Sequence, residues 1–294
     1  MARRVLALLI LTALAATGGW SFSAFAADDA AIARGAYLAA AGDCTGCHTD
    51  KKAGGALLAG GRALPTPFGT FYGPNITPDK ATGIGKWTAA DFHRAMREGK
   101  NEHGSFMFPA FPYTSFTNLT DADIADLYAY LQSIPAVAHQ MPGHDMKMPF
   151  GWRPLLFGWR MLFFKEGPLQ PVAGQSDEWN RGRYLAEAVA HCQECHTPRN
   201  LLGGLDRRHA YAGDPHGADK QDAPNITSDK KDGLGDWKED DIVDLLKSGM
   251  TPDGDSVGGG MAEVVEGTGK LTDADRKAIA VYIKSIPPLP KTPK

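Results

Sequence analysis

Cys44-Thr45-Gly46-Cys47-His48 recurs later in the chain as Cys192-Gln193-Glu194-Cys195-His196, and the two stretches hold all four cysteines of the 294 residues. Thiols at this spacing lie on one side of a single helical turn, where they can bond the two vinyl groups of one porphyrin. The histidine that follows then sits over the ring, placed to ligate its iron. A thioredoxin-like C-x-x-C would lie near a βαβ pattern, which is absent. Zinc would need further Cys or His at ligand spacing. Two structural disulfides would not require a histidine at the same offset twice. The pair of motifs therefore predicts two covalently attached haem c groups, held by Cys44, Cys47 and His48 and by Cys192, Cys195 and His196.

The motif belongs to a longer internal repeat. Arg34-Gly35-Ala36-Tyr37-Leu38 returns as Arg181-Gly182-Arg183-Tyr184-Leu185, each leading into a cysteine pair. Gly73 to Gly99 aligns without gaps on Ala223 to Gly249, both copies reading P-N-I-T-x-D-K and then G-x-G-x-W. Leu119 to Pro135 aligns on Leu271 to Pro287, each opening L-T-D-A-D. Two homologous domains are expected, at 27–138 and 177–290, joined by an aromatic and Pro-rich connector at 139–176. Thr88, Thr120 and Thr272 each have Asp three residues on and read as helix N-caps. Gly99 and Gly249 sit where helix-ending glycines belong. Ile124, Leu127, Tyr128 and Leu131 form one apolar stripe at helical spacing, matched by Ile279, Tyr282, Ile283 and Ile286. With no sustained period-2 alternation, the expected fold class is all-α.

The composition bounds the rest. Arg3 and Arg4, the apolar run from Val5 to Ala16, and Ala24-Phe25-Ala26 make a secretory signal peptide over 1–26. Its removal takes the net charge from −3 to −5 and places the protein in the periplasm. The acidic balance, with no polybasic tract, excludes nucleic acid as a partner. The stretch from Met148 to Phe164, M-P-F-G-W-R-P-L-L-F-G-W-R-M-L-F-F, is apolar but broken by Pro and Gly and charged by Arg153 and Arg160. It is too short for a transmembrane anchor, and reads as a strap between the domains, with a docking patch for a partner or a membrane surface as the alternative.

G-x-Y-L before C-x-x-C-H, P-N-I-T-x-D, G-I/L-G-x-W and L-T-D-A-D together resemble the class I cytochromes c. In particular they resemble the haem-binding subunits of bacterial membrane-linked alcohol, aldehyde and sugar dehydrogenases, over both repeats. Those subunits usually carry three C-x-x-C-H motifs, and this chain has two. The resemblance implies that the carbonyls of Pro74 and Pro224 orient His48 and His196. It also implies that Trp87 and Trp237, with Asn75 and Asn225, lie near the haem edge and its propionates. The bland alternative is that these four shape a turn and pack a core.

The sixth iron ligand separates an electron carrier from a reactive haem. Met261, after Gly258-Gly259-Gly260, precedes L-T-D-A-D at the place where the family has its axial methionine, and Met250 is the reserve. Relatives read P-A-M-P-Y at the corresponding place in the first domain. Here Pro109-Ala110-Phe111-Pro112-Tyr113 carries phenylalanine, which cannot ligate iron. Met107 in the same loop is the first choice, with His103, Met96, Met141, Met146, Met148 or no ligand as alternatives. The expected function is relay of single electrons from a periplasmic dehydrogenase to an oxidase or small cytochrome, without a catalytic residue of its own. The alternative is a two-haem, peroxidase-like enzyme with an open first haem.

Overall fold

The computed structural model describes residues 28–217 and 222–292. The expected signal peptide lies outside the described residues. Helix α1 (Asp29–Ala41) leads into α2 (Cys44–His48), followed at a distance by α3 (Ala89–Glu98), α4 (Tyr113–Phe116) and α5 (Asp121–Ser133). The connector carries α6 (Leu155–Phe163). The second copy repeats the plan with α7 (Asp177–Tyr184), α8 (Gln193–His196), α9 (Glu239–Ser248), α10 (Gly259–Thr268) and α11 (Asp273–Ser285). Its first helix does not end as α1 does. It widens into a π-helical turn over Leu185–Val189, where the N–H of Ala190 donates to Leu185 O at 2.7 Å.

All-α needs correction, because a small antiparallel sheet joins the first copy to the connector, in the order β1 (Ala63–Thr66), β2 (Gly69–Tyr72), β3 (Asp145–Met146). The first two strands turn through Pro67 and Phe68, with Gly69 at φ 136° in a conformation that favours glycine. Four-residue strands interrupted by Pro65 leave no alternation long enough to read from the sequence.

The expected helix ends are present. Thr88 and Asp91 form a reciprocal capping box, and Gly99 and Gly249 close their helices at φ 60° and 77°. Ile124, Leu127 and Leu131 are buried in the first copy, as are Ile279, Tyr282, Ile283 and Ile286 in the second. Each such aliphatic side chain contributes about 1.5–3 kcal/mol by leaving water. These stripes face the opening helix of the same copy, and the glycine of the R-G-x-Y-L motif lets the pair close. A Cβ on Gly35 would lie 2.0 Å from Asp126 O, and one on Gly182 would lie 1.8 Å from Ala278 O.

The tyrosine of that motif reaches the other copy. At α5 the carboxylate of Asp123 does not cap its own helix end. Instead the Thr120 N–H donates to the Tyr184 hydroxyl at 3.1 Å, and that hydroxyl donates to Asp123. At α11 the Thr272 N–H donates to Tyr37 at 3.1 Å, and Tyr37 donates to Asp275 at 2.6 Å. Each capping box is thus completed by a phenol from the opposite domain. The reciprocity joins the halves around an approximate twofold relation.

Candidate haem-binding sites

Each cysteine motif starts from a residue in the left-handed region, Asp43 at φ 45° and His191 at φ 41°. Asp43 caps α2 by accepting from the Gly46 N–H at 3.1 Å. Burial and the nearby Glu263 carboxylate raise the Asp43 pKa to about 6. All four thiols are unpaired. Burial pushes those of Cys44 and Cys192 up to about 12, so at neutral pH they are thiols rather than thiolates.

The two histidines are oriented alike. His48 Nδ1 lies 2.7 Å from Pro74 O, and His196 Nδ1 lies 2.8 Å from Pro224 O. A carbonyl only accepts, so Nδ1 carries the proton and Nε2 keeps its lone pair. Burial lowers both imidazole pKa values, against the pull of the carbonyl, and keeps the rings neutral. The prolines are held by tight backbone approach: a Cβ on Gly73 would lie 1.8 Å from Cys47 O. Gly60 N–H donates to His48 O at 2.7 Å, and Gly213 N–H does the same for His196 O at 2.9 Å.

Asn75 and Asn225 are spent on the polypeptide. Each amide oxygen accepts from the N–H and hydroxyl of the threonine two residues on. The amide nitrogens donate to Val137 O at 2.8 Å and to Leu289 O at 2.7 Å. These bonds pin the P-N-I-T turn to the chain beyond the last helix of each copy. Trp87 and Trp237 are half-buried against the core. Their carbonyls accept from Tyr128 Oη and Lys284 Nζ, both at 2.7 Å.

The opposite loops can be superposed residue by residue. Lys100 bridges Phe106 as Met250 bridges Ser256, and the Met107 N–H donates to Gly99 O as that of Val257 donates to Gly249 O. Met107 therefore stands where Val257 stands. Beyond that point the copies part, Phe111 lying eight residues before Leu119 and Met261 ten before Leu271. Met261 falls in the first turn of α10, half-buried, rather than in an open loop. Met107 is half-buried, Met96 lies in the core and His103 is exposed. The Met141 sulfur lies 2.7 Å from where a Gly60 Cβ would be, against the segment that binds the His48 carbonyl. Met146 is in β3, and Met148 and Met250 are exposed.

The structure also brings the two motifs together. His191, just before Cys192, has Nε2 3.2 Å from the carbonyl of Gly42, two residues before Cys44. Glu194, inside the second C-x-x-C, accepts from Thr114 at 3.0 Å and Ser115 at 2.8 Å of the first domain. Burial would raise its pKa, but Arg199, Ser115 and His191 together hold it below the ordinary range. Arg62 of the first domain donates to Gly46 O and to Glu263 of the second. Sequence reasoning missed Asp43, Arg62, His191, Glu194 and Glu263. None of them recurs at the matching place in the other copy, so the repeat gave no signal.

Paired free thiols beside an imidazole whose Nδ1 is already bonded, leaving Nε2 as the donor, are a donor set that fits haem c in both halves. Two tandem units of this kind define a c-type cytochrome. The sequence model of the cytochrome c family matches residues 32–135 and again 180–287, and the chain belongs to that family. It is 43% identical over 264 residues to a protein of Cereibacter sphaeroides named as a dihaem cytochrome c-type, covering 86% of this chain and 85% of that one. It is 40% identical over 273 residues to the cytochrome c subunit of a quinone alcohol dehydrogenase of Gluconobacter oxydans, covering 90% of this chain and 56% of the subunit. Identity to one subunit of the nicotinate dehydrogenase of Pseudomonas putida is 42% over 269 residues, covering 92% of this chain but only 22% of that protein. The chain is an electron-transfer protein with two covalently attached haem c groups.

Proposed function

We propose that this chain relays single electrons in the bacterial periplasm, from a dehydrogenase to an oxidase or a small cytochrome. On this reading the domains span 27–138 and 177–290, after removal of a signal peptide over 1–26. Bound in each unit, the haem iron supplies a one-electron couple. Cys44, Cys47, Cys192 and Cys195 hold the two groups, and His48 and His196 present Nε2 to iron. The prolyl carbonyls fix each imidazole in one orientation, so its ring need not reorganise when charge moves. Met261 is proposed as the sixth ligand in the second unit and Met107 in the first. The contact between His191 and Gly42 carries the reading furthest, because it packs the two attachment turns against each other. A dehydrogenase partner is supported by the similarity to dehydrogenase cytochrome subunits.

The test is stopped-flow mixing with a substrate-reduced periplasmic alcohol or sugar dehydrogenase, followed by an oxidised small cytochrome. Both haems should reduce and then reoxidise, with no bond made or broken. A second reading, a peroxidase-like enzyme with an open first haem, draws on Phe111, which cannot ligate iron, at the place where relatives read P-A-M-P-Y. Carbon monoxide bound by the reduced protein, together with peroxide turnover, would favour it over the carrier.

A further inference from the structure

The second copy carries a group of polar and aromatic side chains that the first copy lacks. Tyr282 of α11 aligns with Tyr130, but its surroundings differ. Where the first copy has Ile32, Leu58 and Ala40, the second has Trp179, Tyr211 and Glu187. The match of Leu58 with Tyr211 is structural as well. Both lie in the left-handed region, at φ 57° and 64°, and both N–H groups donate to a threonine Oγ1 at 2.9 Å. All three replacements meet on Tyr282. The Trp179 ring centre lies 5.3 Å from that of Tyr282, edge-on, and the Tyr211 ring centre lies 6.4 Å from it. The Tyr282 hydroxyl donates to Glu187, whose carboxylate also accepts from Arg183 Nε at 3.3 Å.

Packing alone does not account for this group, because aliphatic side chains fill the same places in the first copy. Tyr211 is 4% exposed, and its hydroxyl has no hydrogen-bond partner among the described residues. That costs stability which a leucine would not. Glu187 is carried by the π-helical turn, a rare conformation that tends to mark functional positions. The row of rings has an inner and an outer end. Burial above all, and then the charges of Tyr282, Cys192 and Glu187, raise the Tyr211 pKa well above the usual tyrosine range. The inner phenol therefore stays protonated, within electrostatic reach of a haem-attaching sulfur. Trp179, in the first turn of α7 behind exposed Asp177 and Glu178, is half-buried and reaches solvent. Rings in near contact let an electron pass from one to the next. A carboxylate hydrogen-bonded to a phenol takes the proton that the phenol loses on oxidation.

We infer that Tyr211, Tyr282 and Trp179 form a path by which oxidising equivalents leave the second unit for the protein surface. The inference does not depend on which donor or acceptor the relay serves. The oxidant is hydrogen peroxide, whose O–O bond breaks as it takes two electrons from the protein and two protons from solvent to give two waters. Each electron is drawn from Tyr282 past Tyr211, while the phenolic proton of Tyr282 passes to Glu187. Trp179 then gives an electron to the tyrosyl radical and the proton returns from Glu187. An indole radical cation remains at the surface, where a small reductant refills it.

The test mixes the oxidised, haem-loaded protein with hydrogen peroxide, freeze-quenches it for electron paramagnetic resonance, and digests it for peptide mass spectrometry. An aromatic radical signal is expected, with oxygen adducts on Trp179 severalfold above those on Trp152, which is far more accessible at 57% exposure. Tyr282→Phe keeps the ring, and Tyr211→Leu installs the residue of the first copy. Each should cut the Trp179 adducts severalfold and hasten loss of haem from the peptide that holds Cys192 and Cys195. Trp152→Phe should leave both readings unchanged. Adducts that follow exposure, with Trp152 foremost, overturn the proposal. So do Trp179 adducts that survive Tyr282→Phe and Tyr211→Leu undiminished.

Discussion

In the first copy Arg97 reaches from α3 to the carbonyls of Thr117 and Leu119 and to the carboxylate of Asp121. In the second copy Lys247 stands in the place of Arg97, and it only approaches Asp273 at 3.5 Å. The task passes to Arg276 on α11, which donates to Thr268 O at 3.0 Å and Gly269 O at 3.1 Å, and also to Leu271 O and Asp273. Both guanidinium groups are buried, at 6% and 3% exposure. The difference teaches that what must be satisfied is the turn that enters the last helix. Its carbonyls point inward in both copies, and burying them without a donor costs more than moving the arginine to another helix.

At the axial position, too, the proposed ligands stand at different places in the two copies, Met261 in one and Met107 in the other. Met261→Ala should give the largest effect. The methionine-to-iron charge-transfer band of the second haem should disappear and its potential should fall by tenths of a volt, within the roughly 0.8 V that axial ligands span. With Met107 on the first iron, Phe111→Met should add no further band. Met107→Ala decides what the native first unit uses: loss of a charge-transfer band assigns Met107 to iron, and unchanged spectra remove it from the site.

The arginine exchange comes next in size. Arg276→Ile places in the second copy the residue that Ile124 provides in the first, and should cost about 3 kcal/mol by leaving buried carbonyls without a donor. Adding Lys247→Arg should recover roughly half of that loss, because a guanidinium there can reach the turn as Arg97 does. Chemical denaturation followed by circular dichroism reads both. A double variant no more stable than Arg276→Ile breaks the equivalence of the two arrangements.

The cysteine motifs, both copies of the repeat and the helix caps were readable because they are local. A thiol pair, an N-cap threonine or a closing glycine acts within one turn of its neighbours. The sheet was not readable, since β3 comes from the connector and pairs with a hairpin only four residues to a strand. Asn75 and Asn225 have the right chemistry for a propionate, yet turn-forming Asn bonds its own backbone just as readily. The connector was only half legible. Its inward residues behave as a strap, but one sequence pattern cannot say which side of an all-apolar helix is covered. Arg62 and Glu263 are 201 residues apart, and nothing in either segment announces the other.

The smallest effects concern the tyrosines that complete the opposite capping boxes. Tyr184→Phe removes a hydrogen bond to the Asp123 carboxylate and strands the Thr120 N–H, and should cost about 1.5 kcal/mol. Tyr37→Phe should cost a similar amount, and thermal melts of both single variants and the double variant test whether the two sites are independent. Near-additivity is expected, since the boxes share no residue. Acid should separate them. Burial would raise the pKa of Asp275, but hydrogen bonds from Arg181 and Tyr37, with the Arg181 charge, hold it below the usual carboxylate range. A carboxyl with a depressed folded pKa contributes stability that is present above its unfolded value, about 3.9, and is lost as the pH falls through the folded value. The Tm gap between wild type and Asp275→Asn should therefore be constant from pH 5 to 7 and should close below about pH 4. A gap undiminished at pH 3 would mean that Asp275 acts through its shape as a hydrogen-bond acceptor and not through its charge.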